Sequence, residues 1–152
     1  MIESFSGRSL QVQVWHWACT TLPGMTPEQM KERLTVWAVE VVSLCRKLRV
    51  RPEARHLADQ LLAAATSSAA NYRAACRARS RREFTSKLAV AVEEADESVG
   101  WIQILIRAAF IGEHQAARIL NEAEQLLAIL AASRRTAERN DRGPAGPRPR
   151  SR

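Results

Sequence analysis

Met30, Leu34, Trp37, Val41, Leu44 and Leu48 recur at intervals of 4, 3, 4, 3 and 4 residues. That spacing puts them on one stripe of an α-helix and excludes a strand, where alternate residues share a face. The same rhythm returns from Ala54 through Ala58, Leu61, Ala65, Ser68 and Tyr72 to Ala75. It returns again from Phe84 through Leu88, Ala91, Ala95, Ser98, Ile102 and Leu105 to Ala109, and from Ala116 through Leu120, Ala123 and Leu127 to Leu130. Four amphipathic helices joined by short turns predict an all-α fold, an antiparallel up-down-up-down four-helix bundle over residues 25–138.

The boundaries carry their own chemistry. Thr26, Pro27 and Gln29 form a capping-box start for the first helix, and Pro52 breaks the chain after its basic last turn. The second helix is expected over 52–78, the third from Ser80 and Glu83, which are spaced as a second capping box, to Gly112, and the fourth over 113–137. Ten of residues 54–78 are alanine and lie on more than one face. A helix of that kind is covered on more than one side, by its own bundle and by a second subunit.

Two segments stand apart from this pattern. Residues 1–24 contain "LQVQVWHW", which alternates apolar and polar like a strand but has no partner strand. An irregular or edge-pairing arm and a start of translation at Met25 are both compatible with it. Residues 139–152 form an arginine- and proline-rich tail expected to be disordered. The chain has 152 residues and a net charge of +7, of which +5 falls in residues 133–152. No apolar stretch is long enough to cross a bilayer and no signal peptide is evident, so a cytoplasmic protein with no membrane partner is expected. Cys19, Cys45 and Cys76 are widely spaced and read as reduced, buried thiols.

Signals for catalysis are poor. His16, His56 and His114 stand apart from one another, and "EARH" at 53–56 is a single copy of a motif that a di-metal bundle needs twice. Glu94 and Glu97 share a helix face without a nucleophile or a phosphate-binding loop nearby. The reading is a protein that is not an enzyme, with no catalytic residue, metal or cofactor. Asn71, beside the seam residue Tyr72, needs a hydrogen-bond partner in an alanine-rich helix. Ser67, Ser68 and Glu94 are the candidates, and this polar set is assigned a structural role, that of fixing register.

The remaining feature is arginine. Arg73, Arg77, Arg79, Arg81 and Arg82 gather where the second helix gives way to the third. Arg81 and Arg82 fall in a first helical turn, where the helix dipole favours anions over cations. A bound polyanion would relieve that repulsion, because guanidinium groups and free helix-start amides both bind phosphate. These five are the candidate nucleic-acid-binding residues.

Around this stretch the sequence resembles the four-helix bundle family of proteins encoded in intervening sequences of bacterial 23S rRNA genes. The accessory variability protein of diversity-generating retroelements is a more distant relative. The residues that carry the resemblance are Leu34, Val36 and Trp37, then Gln60, Ser67 or Ser68, Asn71, Ser80, Glu83 and Phe84, then Lys87, Leu88, Ala91, Glu94, Glu97 and Trp101. Ala74 departs from it, since many members carry Glu there. The resemblance implies a homo-oligomer, a barrel-like pentamer of bundles, without enzymatic activity. Its retroelement branch implies binding to nucleic acid and to a reverse transcriptase. The expected function is therefore non-enzymatic binding of nucleic acid, RNA preferred, through the arginine cluster. The alternative is a protein-interaction scaffold or accessory subunit, for example of a reverse transcriptase, with residues such as Val42 and Ile106 on its partner surface.

Overall fold

The computed structural model describes residues 25–141. The strand-like reading of 1–24, and the tail from 142 onward, lie outside the described residues. Four helices follow one another: α1 Pro27–Leu48, α2 Pro52–Ala75, α3 Arg81–Arg107 and α4 Glu113–Asp141. They form the four-helix bundle that the seams predict, and every seam residue from Met30 to Leu48 is buried.

α1 starts as expected. The Thr26 hydroxyl accepts the Gln29 amide at 3.2 Å, and the Gln29 side chain accepts the Thr26 amide at 2.8 Å. Arg51 and Pro52 then turn the chain, with the Pro52 ring in the first turn of α2, where its missing N–H costs nothing. Arg51 also reaches across this end of the bundle. Its Nη1 donates to the Phe110 carbonyl at 3.3 Å, and its guanidinium lies 5.6 Å from the centre of the Phe110 ring.

α2 and α3 are the most closely packed pair. Ala54, Ala58, Ala65 and Ala75 meet a helix carrying Ala91 and Ala95, and all six are buried. With so little side chain between them the backbones approach closely. The buried Ser68 hydroxyl can therefore donate to the Ala91 carbonyl of the facing helix at 2.9 Å. α1 and α4 are packed more loosely than the other neighbouring pairs. They are held by the Trp37 indole, which donates to the Ile119 carbonyl at 3.2 Å, and by ion pairs of Arg33 with Glu122 and of Arg118 with Glu40. Trp37, Phe84, Leu61, Leu88, Ile102 and Leu126 fill the centre. Each such side chain contributes roughly 1.5–3 kcal/mol by leaving water.

Three boundaries differ from expectation. α2 ends at Ala75, three residues early, and Cys76 is its cap. α3 ends at Arg107 instead of running on to Gly112, because the chain reverses through Ala109, whose φ is 57°. The Phe110 amide donates to the Leu105 carbonyl at 3.0 Å and the Ala109 amide to the Ile106 carbonyl at 2.9 Å. These two bonds close a helix-ending motif that more often uses glycine at the left-handed position. α4 continues to Asp141, past the bundle limit of 138, because the seam goes on through the buried Ser133 and Ala137.

Candidate nucleic-acid interface

The arginine cluster occupies the turn between α2 and α3. After Cys76 the chain makes two tight turns, with Arg77 donating to Ala74 and Ala78 to Ala75, and Ala78 is buried beneath them. Ser80 then caps α3 by accepting the Glu83 amide at 3.1 Å. The Glu83 carboxylate accepts the Arg79 amide at 2.9 Å, one residue ahead of the Ser80 amide that a capping box would use, and also pairs with Arg79 Nε at 3.5 Å. These contacts hold the Glu83 carboxyl below its ordinary range. The Arg79 amide is the largest cause; desolvation, next in size, opposes it, and the charge and side-chain hydrogen bond of Arg79 and the charge of Lys87 add to the lowering.

The five arginines have different environments. Arg73, Arg77 and Arg82 are exposed, and no ion pair engages them among the described residues. Arg79 is 91% exposed and, among the described residues, paired only with Glu83. Arg81 is half-buried, and its Nη1 donates to the Asn140 carbonyl at 2.9 Å. The repulsion expected in the first turn of α3 is therefore relieved for Arg81 from inside the fold. α4 runs antiparallel to α3, so its negative C-terminal end lies beside the positive start of α3 and receives that guanidinium. Arg81 positions the junction, and four of the five arginines face solvent.

The same contact brings in residues that the sequence reading counted with the tail. Arg134, Arg135 and Arg139 lie in the last turns of α4, the end that Arg81 grips. Arg134 pairs with Glu138 at 2.8 Å, Arg139 donates to the Thr136 hydroxyl at 3.3 Å, and Arg135 is exposed. Arg134 and Arg135 fall within the fourth helix expected over 113–137, and the continuation of the seam through Ser133 and Ala137 is the signal that could have added Arg139. The opposite end of the bundle is also basic, with Arg46, Lys47, Arg55 and Arg107 exposed, while Glu93, Asp96 and Glu97 are exposed along α3 between the ends. Three of those four cations close the C-terminal turns of α1 and α3, where the dipole accounts for them. It does not account for Arg82 at the start of α3.

Of the partners expected for Asn71, Ser67 alone bonds it, within α2, while Ser68 donates to the Ala91 carbonyl. Asn71 Nδ2 donates to the Ser67 carbonyl at 3.0 Å and lies 3.2 Å from the Ser67 hydroxyl, which donates to Glu94 Oε1 at 2.8 Å. Glu94 thus ties α3 to α2, and each polar side chain of the set has a partner. Val42 and Ile106 are half-buried, so neither presents the open apolar surface expected of it. Val36 and Val39 on α1 are instead 49% and 58% exposed. The groove beside them, between α1 and α4, is lined by Glu32, Arg33, Trp37 and Glu122. His56 and His114 are exposed, and Asp59, one neighbour of His56, is engaged by Arg49. Among the described residues no group of three or more His, Cys, Asp or Glu side chains is placed to hold a metal, and no helix is long and apolar enough to cross a membrane.

A family model described as 23S rRNA-intervening sequence protein matches residues 29–132. A crystal structure of a protein of unknown function from the S23 ribosomal protein family of Bacteroides thetaiotaomicron is 32% identical. The similarity covers 68% of this chain and 95% of that one, with a TM-score of 0.65. No curated protein matches the chain.

Proposed function

The chain belongs to the 23S rRNA-intervening sequence protein family, and from that premise we propose that it is a non-enzymatic, homo-oligomeric bundle that binds nucleic acid, RNA preferred, through the arginines between α2 and α3. One observation carries this reading. Arg73, Arg77 and Arg82 are exposed at one end of the bundle, and no carboxylate among the described residues pairs with them. Guanidinium groups left in water suit a phosphate backbone. Exposed Ala63, Thr66 and Ala70 on α2 leave a face of small side chains against which another subunit can pack, which supports the homo-oligomer, a pentamer by family resemblance. Symmetry would then repeat the arginine cluster around the assembly.

The test is a salt titration of binding to RNA, single-stranded DNA and duplex DNA, together with mass measurement of the assembly. Binding through about 6–10 phosphates weakens by roughly 10³–10⁵ between 50 and 200 mM salt. Changing Arg77, Arg79 and Arg82 together to Gln should flatten the log–log slope by about 2–3, and an unchanged slope rejects the site. Arg81 is left out of that variant because it holds α4. A protein-interaction scaffold or accessory subunit, for example of a reverse transcriptase, is the second reading, and the exposed Val36 and Val39 favour it. A partner retained from nuclease-treated lysate, lost on changing both valines to Ser and unaffected by the arginine changes, would select it.

A further inference from the structure

Three helix ends meet where the arginines gather: the C-terminus of α2, the N-terminus of α3 and the C-terminus of α4, the last two joined by the bond from Arg81 to the Asn140 carbonyl. Arg135 and Arg139 are exposed and one turn apart on α4, and with Ala132, Thr136 and Glu138 they line a shallow concavity. The Glu138 carboxylate in that concavity already pairs with Arg134, so it does not cancel Arg135. Neighbouring helix axes in such bundles lie about 8–10 Å apart. The cationic groups of α2, α3 and α4 are therefore spread in two directions over a patch on the order of 15–20 Å across, and do not follow a single line.

Aromatic side chains bear on what kind of strand the described residues of this end suit. Tyr72 and Phe84 belong to the core, at 3% and 2% exposure. Proteins that grip single strands stack bases on exposed aromatic rings, and among the described residues this end offers none. A double helix needs no such platform, since it presents two rows of phosphates and keeps its bases stacked on each other.

Resting on the reading above, we infer that the ligand of this end is a nucleic-acid double helix held by its phosphates across all three helix ends, with Arg135 and Arg139 of α4 forming the second half of the site. The experiment uses the full chain with a double-stranded RNA, the same RNA as a single strand, and a duplex DNA of equal length. The variant Arg135→Gln/Arg139→Gln is compared with Arg46→Gln/Arg55→Gln, which removes the same charge from the opposite end. Duplex affinity in 0.1 M salt should fall roughly tenfold or more in the α4 variant, with a salt slope lower by about 2, and change little in the control. The single strand should bind more weakly than either duplex, and RNA against DNA duplex shows which backbone is preferred. If the α4 variant matches the control while Arg77→Gln/Arg79→Gln/Arg82→Gln still weakens binding, the inference about α4 is overturned and the junction site stands. Equal affinity and slope for the single strand overturns the preference for a double helix. If neither variant alters binding, the arginine reading itself falls.

Discussion

The guanidinium of Arg81, at the first position of α3, donates to the main-chain carbonyl of Asn140, 59 residues later, at 2.9 Å. The bond ties the start of one helix to the end of its antiparallel neighbour and satisfies a carbonyl that the helix itself cannot. Hydrogen bonds from charged donors contribute about 1.5–3 kcal/mol when shielded, and partial exposure reduces this. Arg81→Gln should therefore lower unfolding free energy by about 1 kcal/mol and release protection of the last turn of α4 in hydrogen exchange. Arg82→Gln, one residue on and exposed, should change stability by less than about 0.5 kcal/mol. Urea denaturation of the two variants checks the contrast. Equal losses would remove the distinction between a positioning arginine and a ligand-facing one.

The two ends of a second contrast lie in and just after α3. Gly100 is inside the helix, and a Cβ added there meets nothing within 4 Å. Ala109 is in the left-handed region at φ 57°, which costs an L-residue roughly 1–2 kcal/mol. Gly100→Ala should stabilise the protein by about 0.5–1 kcal/mol, and Ala109→Gly by a similar amount. Here the usual helix preference is followed at one site and reversed at the other. Thermal and urea unfolding of both single variants and the pair give the check, and nine residues along the helix axis put the sites about 13 Å apart, far enough for the gains to add.

The parts of this structure that the sequence displays are those written in local periodicity and in short-range caps. The 4-3 spacing from Met30 to Leu48 depends only on the helical repeat, and Thr26 with Gln29 depends only on residues three apart. The bond of Asn71 to Ser67 was legible for a different reason: a polar residue beside a buried seam has few partners to choose from, whereas Glu94, also a candidate, bonds Ser67 instead. What could not be read is what depends on helix pairing. Arg33 with Glu122, Arg118 with Glu40 and Arg81 with Asn140 join residues about 59 to 89 positions apart. Each charged partner, taken alone, looks like any surface charge, and the Asn140 carbonyl carries no sequence signal at all. Gly112, a residue type that commonly closes a helix, points past the true end of α3, which the bonds to Leu105 and Ile106 close at Ala109. The role of α4 in the arginine end was hidden by composition, since Arg134, Arg135 and Arg139 merge into the basic tail when charge is counted along the chain.

Cys45 and Cys76 separate by environment. Cys45 is buried in the core of α1, and burial pushes its thiol up to about 11, against a smaller lowering by the charge of Arg49. At pH 8 almost none of it is thiolate, and it is the thiolate that reacts. In the native protein Cys45 should resist alkylation for as long as the bundle stays closed, with a rate that tracks unfolding. Mass mapping after iodoacetamide treatment, with and without urea, identifies the modified residue. Rapid native labelling at Cys45 would mean that α1 opens far more readily than its packing indicates.

Glu83 links the fold of the junction to its charge. Its carboxyl is depressed chiefly by the Arg79 amide that it accepts. A carboxyl whose pKa is lower folded than unfolded contributes stability that is fully present above its unfolded value, about 4.3. That contribution is lost as pH falls through the lower folded value. Wild type should therefore lose its stability advantage over Glu83→Gln between about pH 5 and the folded value, whereas at pH 7 the variant is the less stable of the two. The same protonation removes the only carboxylate paired with Arg79 among the described residues. Nucleic-acid affinity at fixed salt should consequently rise on acidification in wild type and rise less in Glu83→Gln, whose junction is already more positive at pH 7. Urea midpoints and binding curves for both proteins at pH 7, 5 and 3.5 test the two effects together. An advantage for wild type that persists unchanged to pH 3.5 would show that Glu83 acts through the geometry of its hydrogen bond and not through its charge.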